Sequence, residues 1–86
     1  MLVIALDYDD TYTADPELWD VFIKSAQEKG HYVFIATSRP ASDPIPNIGL
    51  EVVYCASKPK LQAVLEQGVP EPNIWIDDWP WHIGKP

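Results

Sequence analysis

Two acidic clusters in this sequence each follow a short apolar run directly. Asp7-Tyr8-Asp9-Asp10 comes after residues 2–6, and Asp77-Asp78 comes after residues 74–76. Carboxylates that converge repel one another strongly unless a cation lies among them. Oxygen ligands alone suit Mg²⁺ better than zinc, which prefers His and Cys. The sequence therefore predicts a Mg²⁺ site formed by both clusters.

Hydroxyl and cationic side chains follow two further apolar runs. Thr37-Ser38-Arg39 comes after residues 32–36, and Lys58 comes shortly after residues 51–55. The Thr37 hydroxyl and the Lys58 ammonium could hold phosphate oxygens. An ionised Asp beside Mg²⁺ and Lys is a competent nucleophile towards phosphorus, and a second Asp two residues on can protonate the leaving oxygen. The chemistry predicted is metal-assisted phosphoryl transfer through an aspartyl-phosphate.

Four strands and two helices are predicted to position these groups. The strands cover residues 2–6, 32–36, 51–55 and 73–76, where apolar and β-branched residues dominate. The first helix begins at Asp15-Pro16, with Asp as N-cap, and closes at Lys29-Gly30. The second covers about residues 59–67, with Ser57 as a possible cap. Their predicted inner faces carry Leu18, Trp19, Phe22, Ile23 and Ala26 in the first helix, and Leu61, Val64 and Leu65 in the second.

The order β-α-β-loop-β-α-β predicts an α/β fold, a small three-layer Rossmann-like arrangement of about four parallel strands with one helix on each face. Ligands bind such sheets beyond the carboxyl ends of the strands, which is where all the polar groups above lie. The pattern lacks a third crossover helix, so part of one face stays bare. A homo-oligomer formed through that face, or through the aromatic tail at residues 79–86, is therefore a candidate assembly.

Length and composition limit the alternatives. The 86 residues predict a single domain, residues 1–86, and the net charge of −7 disfavours nucleic acid and anionic membranes as partners. The longest apolar run, of six residues, is too short to span a bilayer, and no signal peptide is recognisable. The single cysteine, Cys55, permits no internal disulfide and is expected to be a buried small hydrophobe. These features predict a cytoplasmic protein.

The motifs together resemble the haloacid dehalogenase (HAD) superfamily of phosphohydrolases. Asp7-Tyr8-Asp9-Asp10-Thr11 is similar to its D-x-D-x-T signature, and Thr37 to its strand-end Ser or Thr. Ser57-Lys58-Pro59 is similar to its third-motif lysine, and Asp77-Asp78 to its acidic fourth motif. All four occur in order, each near the end of a predicted strand.

The resemblance implies a role for each matching residue. Asp7 would be the nucleophile and a Mg²⁺ ligand, and Asp9 the general acid/base with its backbone carbonyl on the metal. Asp77 would be a metal ligand, with Asp78 either the better ligand of the two or a neighbour that supports it. Phosphate binding would fall to Thr37 and Lys58, with Thr11, Ser38 and Arg39 as further candidates.

Three features depart from the family's pattern or leave a choice open. The gaps after Thr11 and after Thr37 are too short for the cap domain that most members carry, so this would be a capless core open to a small-molecule or an exposed phosphomonoester. The family often has Gly where this chain has Asp10. Lys60 competes with Lys58 for the third motif, and Lys58 is preferred because Lys60 would further shorten an already short stretch to Asp77.

The function expected is a Mg²⁺-dependent phosphatase. A phosphotransferase with an acceptor other than water, or a catalytically idle HAD-fold binding or scaffold module, is the alternative. A receiver domain is disfavoured because the end of the third strand, Cys55-Ala56, offers no acceptor Asp. Trp79, Trp81 and His82 could stack on a substrate ring, but packing under the sheet or a dimer contact is favoured.

Overall fold

The computed structural model describes residues 1–84, which form a four-stranded, all-parallel sheet with two α-helices. The strands lie in the order β3-β2-β1-β4, so the α/β Rossmann-like prediction is confirmed. The elements, in chain order, are β1 (Val3–Leu6), α1 (Pro16–Glu28), β2 (Tyr32–Thr37), β3 (Val52–Tyr54), α2 (Lys60–Glu66) and β4 (Ile74–Ile76), with short 3₁₀ turns at Tyr12–Ala14 and Pro80–His82.

β1 lies inside the sheet, between β2 and β4, and all four of its residues are buried. Leu6 pairs with Ile35 on one side and with Ile76 on the other. The pairing continues one residue further, because the Asp7 N–H donates to the Ile76 carbonyl at 2.9 Å. This register brings the two acidic clusters side by side at the carboxyl edge of the sheet.

Helix α1 covers one face of the sheet. Asp15 caps it as predicted, since its side chain accepts from the Leu18 N–H at 3.2 Å, and Pro16 occupies the first helical position. Ile23 and Ala26 bury against the side chains that β1 and β2 direct to this face. Leu18 was grouped with these residues by its spacing, but it is exposed, whereas Trp19 and Phe22 pack against the core.

Helix α2 covers the other face and differs from its prediction at both ends. Ser57 does not cap it; the N-cap position is Pro59, which has no side-chain acceptor. The Ile83 carbonyl instead accepts from the Leu61 N–H at 3.0 Å, so the C-terminal tail closes the start of this helix. Leu65 is 49 % exposed and not on the inner face, which is formed by Lys60, Leu61, Ala63 and Val64.

The α1 face is incompletely covered beside β4, where Ile74 is exposed. There an apolar hollow of about 260 Å³ lies beside β4, with Leu2, Ile4, Phe22, Ile74 and Ile76 among its lining residues. Within residues 1–84, none of the helices has the length and apolar character needed to cross a membrane.

Candidate active site

The centre of the site is a buried lysine between two carboxylates. The Lys60 Nζ donates to Asp7 Oδ1 at 2.7 Å and to Asp77 Oδ2 at 2.6 Å. Asp7 and Asp77 each follow a strand directly, and Lys60 is the first residue of α2. The sheet register therefore fixes the positions of the Asp7 and Asp77 carboxylates, and helix α2 fixes the position of the Lys60 ammonium.

The Thr11 hydroxyl lies within hydrogen-bond distance of both acidic clusters. Its hydroxyl lies 3.1 Å from Asp7 Oδ2 and 3.2 Å from Asp78 Oδ1, so it can donate to either carboxylate. It also accepts from the Asp78 N–H at 3.3 Å. Thr11 was a candidate for phosphate binding, but it is buried and its hydroxyl is engaged with the two acids.

Burial and crowding shift the ionisation of this cluster. Burial raises the pKa of Asp7 to about 6, with the hydrogen bond from Lys60 opposing the shift and the nearby Asp78 carboxylate adding to it. Burial alone would lower the pKa of Lys60, but its hydrogen bonds to Asp7 and Asp77 outweigh burial and raise it. The hydrogen bond with Asp7, followed by that with Thr11, lowers the pKa of Asp78. Asp7 thus holds a proton more tightly than an ordinary aspartate, and Lys60 stays charged.

Three of the four predicted metal ligands come together. Asp7, Asp77 and Asp78 each offer a carboxylate oxygen, and these oxygens lie within 4.8 Å of one another. The group could hold a metal ion, and a donor set made only of oxygen fits a hard cation such as Mg²⁺. A cation there would also offset the part of the Asp7 pKa rise that comes from the Asp78 and Asp77 carboxylates. The Asp9 carboxylate lies outside this group.

Asp9 is engaged by an arginine instead. The Arg39 Nε and Nη2 atoms each donate to one Asp9 carboxylate oxygen at 2.9 Å, which makes a two-point ion pair. The guanidinium also lies over the Tyr8 ring, 5.2 Å from its centroid. Arg39 is therefore tied to the first acidic cluster and positioned at the rim of the site.

The hydroxyls of Thr37, the last residue of β2, and of Ser38, which follows it, lie in different environments. Thr37 is fully buried, and its Oγ1 accepts from the Arg39 N–H at 3.2 Å. Ser38 is exposed, and its Oγ lies 3.4 Å from His82 Nδ1. Together with the carboxylates, Ser38 borders an open pocket of about 250 Å³, whose lining residues are Asp7, Asp9, Asp10, Ser38, Lys60, Asp77, Asp78, Trp79 and His82.

The structure brings Lys60, and not the preferred Lys58, to the carboxylates. Lys58 lies on the surface and pairs with Glu66 at 2.6 Å, whereas Lys60 enters the cluster. A signal for Lys60 was present in the sequence: it precedes Ala63 and Val64 by three and four residues, which places it on the buried face of α2. The length of the stretch to Asp77, on which the preference for Lys58 rested, does not indicate which helix face carries the lysine.

Backbone geometry explains how Asp10 fits where the family that the motifs resemble often has Gly. Asp10 has φ +62°, in the left-handed region that glycine adopts without a steric penalty. Asp and Asn tolerate this region better than other residues with a side chain. Its N–H donates to Thr13 Oγ1 at 2.9 Å, which closes the turn.

Cys55 and the tail tryptophans were assigned no catalytic role. Cys55 is buried, as predicted, and burial raises the pKa of its thiol to about 11. Trp79 and Trp81 are exposed, so they do not pack under the sheet, and the dimer contact, the other favoured role, stays a prediction; Ile83 of the same tail is buried. Residues 85 and 86 of the predicted tail lie outside the described residues.

Comparisons of this chain with protein-family profiles, with curated proteins and with solved structures find no match.

Proposed function

We propose that this protein is a Mg²⁺-dependent phosphatase with a HAD-like core, which hydrolyses a phosphomonoester through an aspartyl-phosphate on Asp7. The observation that carries the proposal is the pairing of the Lys60 ammonium with both Asp7 and Asp77, with Asp78 adjacent. A strand-end carboxylate that is held by a cation and flanked by potential metal ligands has the surroundings that a nucleophile towards phosphorus needs.

In this proposal Asp7 is the nucleophile. One of its carboxylate oxygens forms a bond to phosphorus as the bond from phosphorus to the leaving oxygen breaks, and the leaving oxygen takes a proton. A water then attacks phosphorus, gives up a proton, and releases phosphate and the Asp7 carboxylate. When bound by Asp7, Asp77 and Asp78, Mg²⁺ supplies positive charge to the phosphate oxygens.

Asp9 is the proposed proton donor and acceptor. Its exposed carboxylate borders the same pocket as Asp7, but both its oxygens accept from Arg39. Asp9 takes the catalytic role once Arg39 releases it, and an entering phosphate offers the guanidinium an alternative two-point partner. Ser38 and Lys60 then remain to bind the other phosphate oxygens.

Phosphate release from p-nitrophenyl phosphate, nucleotides and sugar phosphates tests the proposal. We expect turnover with Mg²⁺, none with EDTA, and a loss of roughly 10³-fold or more in Asp7→Asn. Glu71→Gln is the matched control, an exposed acid remote from the pocket lining, and it should retain wild-type rates. Full activity in Asp7→Asn, or no release by wild type on any substrate, would refute the assignment.

A further inference from the structure

A second cavity adjoins the carboxylate pocket. It is a groove of about 370 Å³, and Ser38 and His82 line both spaces. Its other walls include Trp81, Pro59, Ser57 and Lys58. Small-molecule sites occupy about 300–1,000 Å³, so the groove is large enough for the organic part of a ligand whose phosphate lies in the smaller pocket.

Charge is divided sharply between the two cavities. Five aspartates line the carboxylate pocket, whereas among residues 1–84 the groove is lined by no acidic residue and by one lysine, Lys58. In a chain of net charge −7 this division is notable. The pocket suits a metal ion with a phosphate, and the groove suits a neutral group bearing hydrogen-bonding atoms, which Ser38 and Ser57 could meet.

The aromatic wall of the groove is held in place. Trp81 is 74 % exposed, so burial in the core does not account for its position. The tail around it is anchored, since Ile83 is buried and its carbonyl accepts from Leu61. Gly84 lies so close to Pro59 that a Cβ there would meet the proline ring at 2.4 Å. An exposed indole on an anchored segment beside a cavity is a stacking surface for a planar ring.

We infer that the groove binds the nucleoside part of a mononucleotide, with the base on Trp81 and the phosphate in the carboxylate pocket. This inference rests on the proposed phosphatase function for its catalytic consequence, but the binding itself does not. The negative charge of the protein favours a free nucleotide over a nucleic-acid end, because few cations are available to follow a polyanionic backbone.

Steady-state kinetics with paired substrates tests the inference. Adenosine 5′-monophosphate and ribose 5-phosphate share the phosphate and the sugar but differ in the base. Trp81→Ala should lower kcat/KM for the nucleotide by about tenfold and leave ribose 5-phosphate within twofold, because stacking on one aromatic ring is the interaction removed. Val21→Ala, an exposed apolar position on α1, is the control and should change neither.

A binding measurement separates the two proposals. With Asp7→Asn and Mg²⁺, adenosine 5′-monophosphate should shift the indole N–H resonance of Trp81, and ribose 5-phosphate should not. If neither substrate is hydrolysed but this shift occurs, the phosphatase proposal fails and the groove assignment stands. If hydrolysis occurs but Trp81→Ala affects both substrates equally or neither, the groove assignment fails. Turnover of a 5′-phosphorylated oligonucleotide in preference to the mononucleotide would also overturn it.

Discussion

Lys58 and Lys60 are two residues apart and lie in opposite environments. The Lys60 side chain is 3 % exposed and contacts two carboxylates from different strands, whereas the Lys58 side chain is 56 % exposed and contacts one glutamate. The N···O distances of the Lys60 ion pairs and of the Lys58 ion pair are nearly the same, so distance does not distinguish the two lysines. Exposure to solvent distinguishes them, because a buried charge depends on its partners and an exposed charge is already solvated by water.

The comparison teaches that position on a helix face, rather than proximity to a motif, decides which lysine reaches the carboxylates. Lys60 is the first residue of α2, and its Cβ shares a face with Ala63 and Val64. Lys58 precedes Pro59 and lies outside the helix. The consequences of this difference can be measured.

The largest expected effect is on stability. Lys60→Met should lower the free energy of unfolding of the metal-free protein by about 3–5 kcal/mol, because it leaves two carboxylates without their shared cation. Lys58→Met should leave the urea midpoint essentially unchanged, since its partner Glu66 is exposed. Urea denaturation followed by tryptophan fluorescence measures both. Equal losses in the two variants would contradict the comparison.

Double-mutant cycles would measure directly how the coupling energies of the two lysine pairs differ. The Lys60–Asp77 cycle, built with Lys60→Met and Asp77→Asn, should give a coupling energy of about 1–3 kcal/mol that changes little between low and high NaCl. The Lys58–Glu66 cycle should give a coupling near zero at high salt, where exposed charges are screened. A Lys60–Asp77 coupling that disappears with salt would show that this pair is open to solvent.

A smaller effect concerns the reactivity of the Cys55 thiol. Burial raises its pKa to about 11 from an ordinary value of 9.0, so the folded protein holds the proton and the thiolate is scarce at pH 8. Alkylation should therefore occur through opening, and its rate should level off near pH 9, the pKa of an exposed thiol. Levelling near pH 11 would indicate reaction in the folded state.

Alkylation through opening and alkylation in the folded state predict opposite effects of Lys60→Met on the reaction rate of Cys55. Because the Lys60 charge lowers the Cys55 pKa, Lys60→Met would slow alkylation of the folded protein. Through opening, the same variant should speed alkylation roughly 10²–10⁴-fold, in line with its lost stability of about 3–5 kcal/mol. Lys58→Met should react like wild type.

The smallest expected effect is at Ala56, in the turn that leads to both lysines. Ala56 has φ +53°, which is unfavourable for a residue with a Cβ. Ala56→Gly should raise the free energy of unfolding by about 0.5 kcal/mol, since the strain relieved slightly exceeds the extra chain entropy lost. Thermal denaturation of the wild type and of the Lys58→Met background should show the same gain. A loss in either would mean that the turn carries no strain.

Much of the fold could be predicted from local pattern. Residues 2–6 and 32–36 are continuous apolar runs, and both form strands close to the predicted bounds because few other structures bury such runs on two faces. Asp7 and Asp77 could likewise be placed, since each directly follows a strand. Periodicity was a weaker guide for α2, where it placed Leu61 and Val64 correctly on the inner face but also Leu65, which is exposed.

The contacts that complete the site could not be predicted, because they join residues distant in sequence. The Arg39–Asp9 pair spans 30 residues, and the two hydrogen bonds of Thr11 to Asp78 span 67. Neither pair has a periodic pattern that marks it. The choice of Lys60 required knowledge of where α2 begins, and the exposed position of Trp81 required knowledge of how Ile83 and Gly84 dock.

The interior position of β1 has a consequence for the order of folding. β1 pairs with β4, which the ribosome makes much later, and the Val3 N–H donates to the Asn73 side chain across 70 residues of sequence. Until β4 is made, one edge of β1 offers free backbone groups to any other nascent chain, a known route to aggregation. The same delay keeps Asp7 without Asp77, so the carboxylate cluster and the pairing of β1 on its second side are completed in a single late step of biosynthesis.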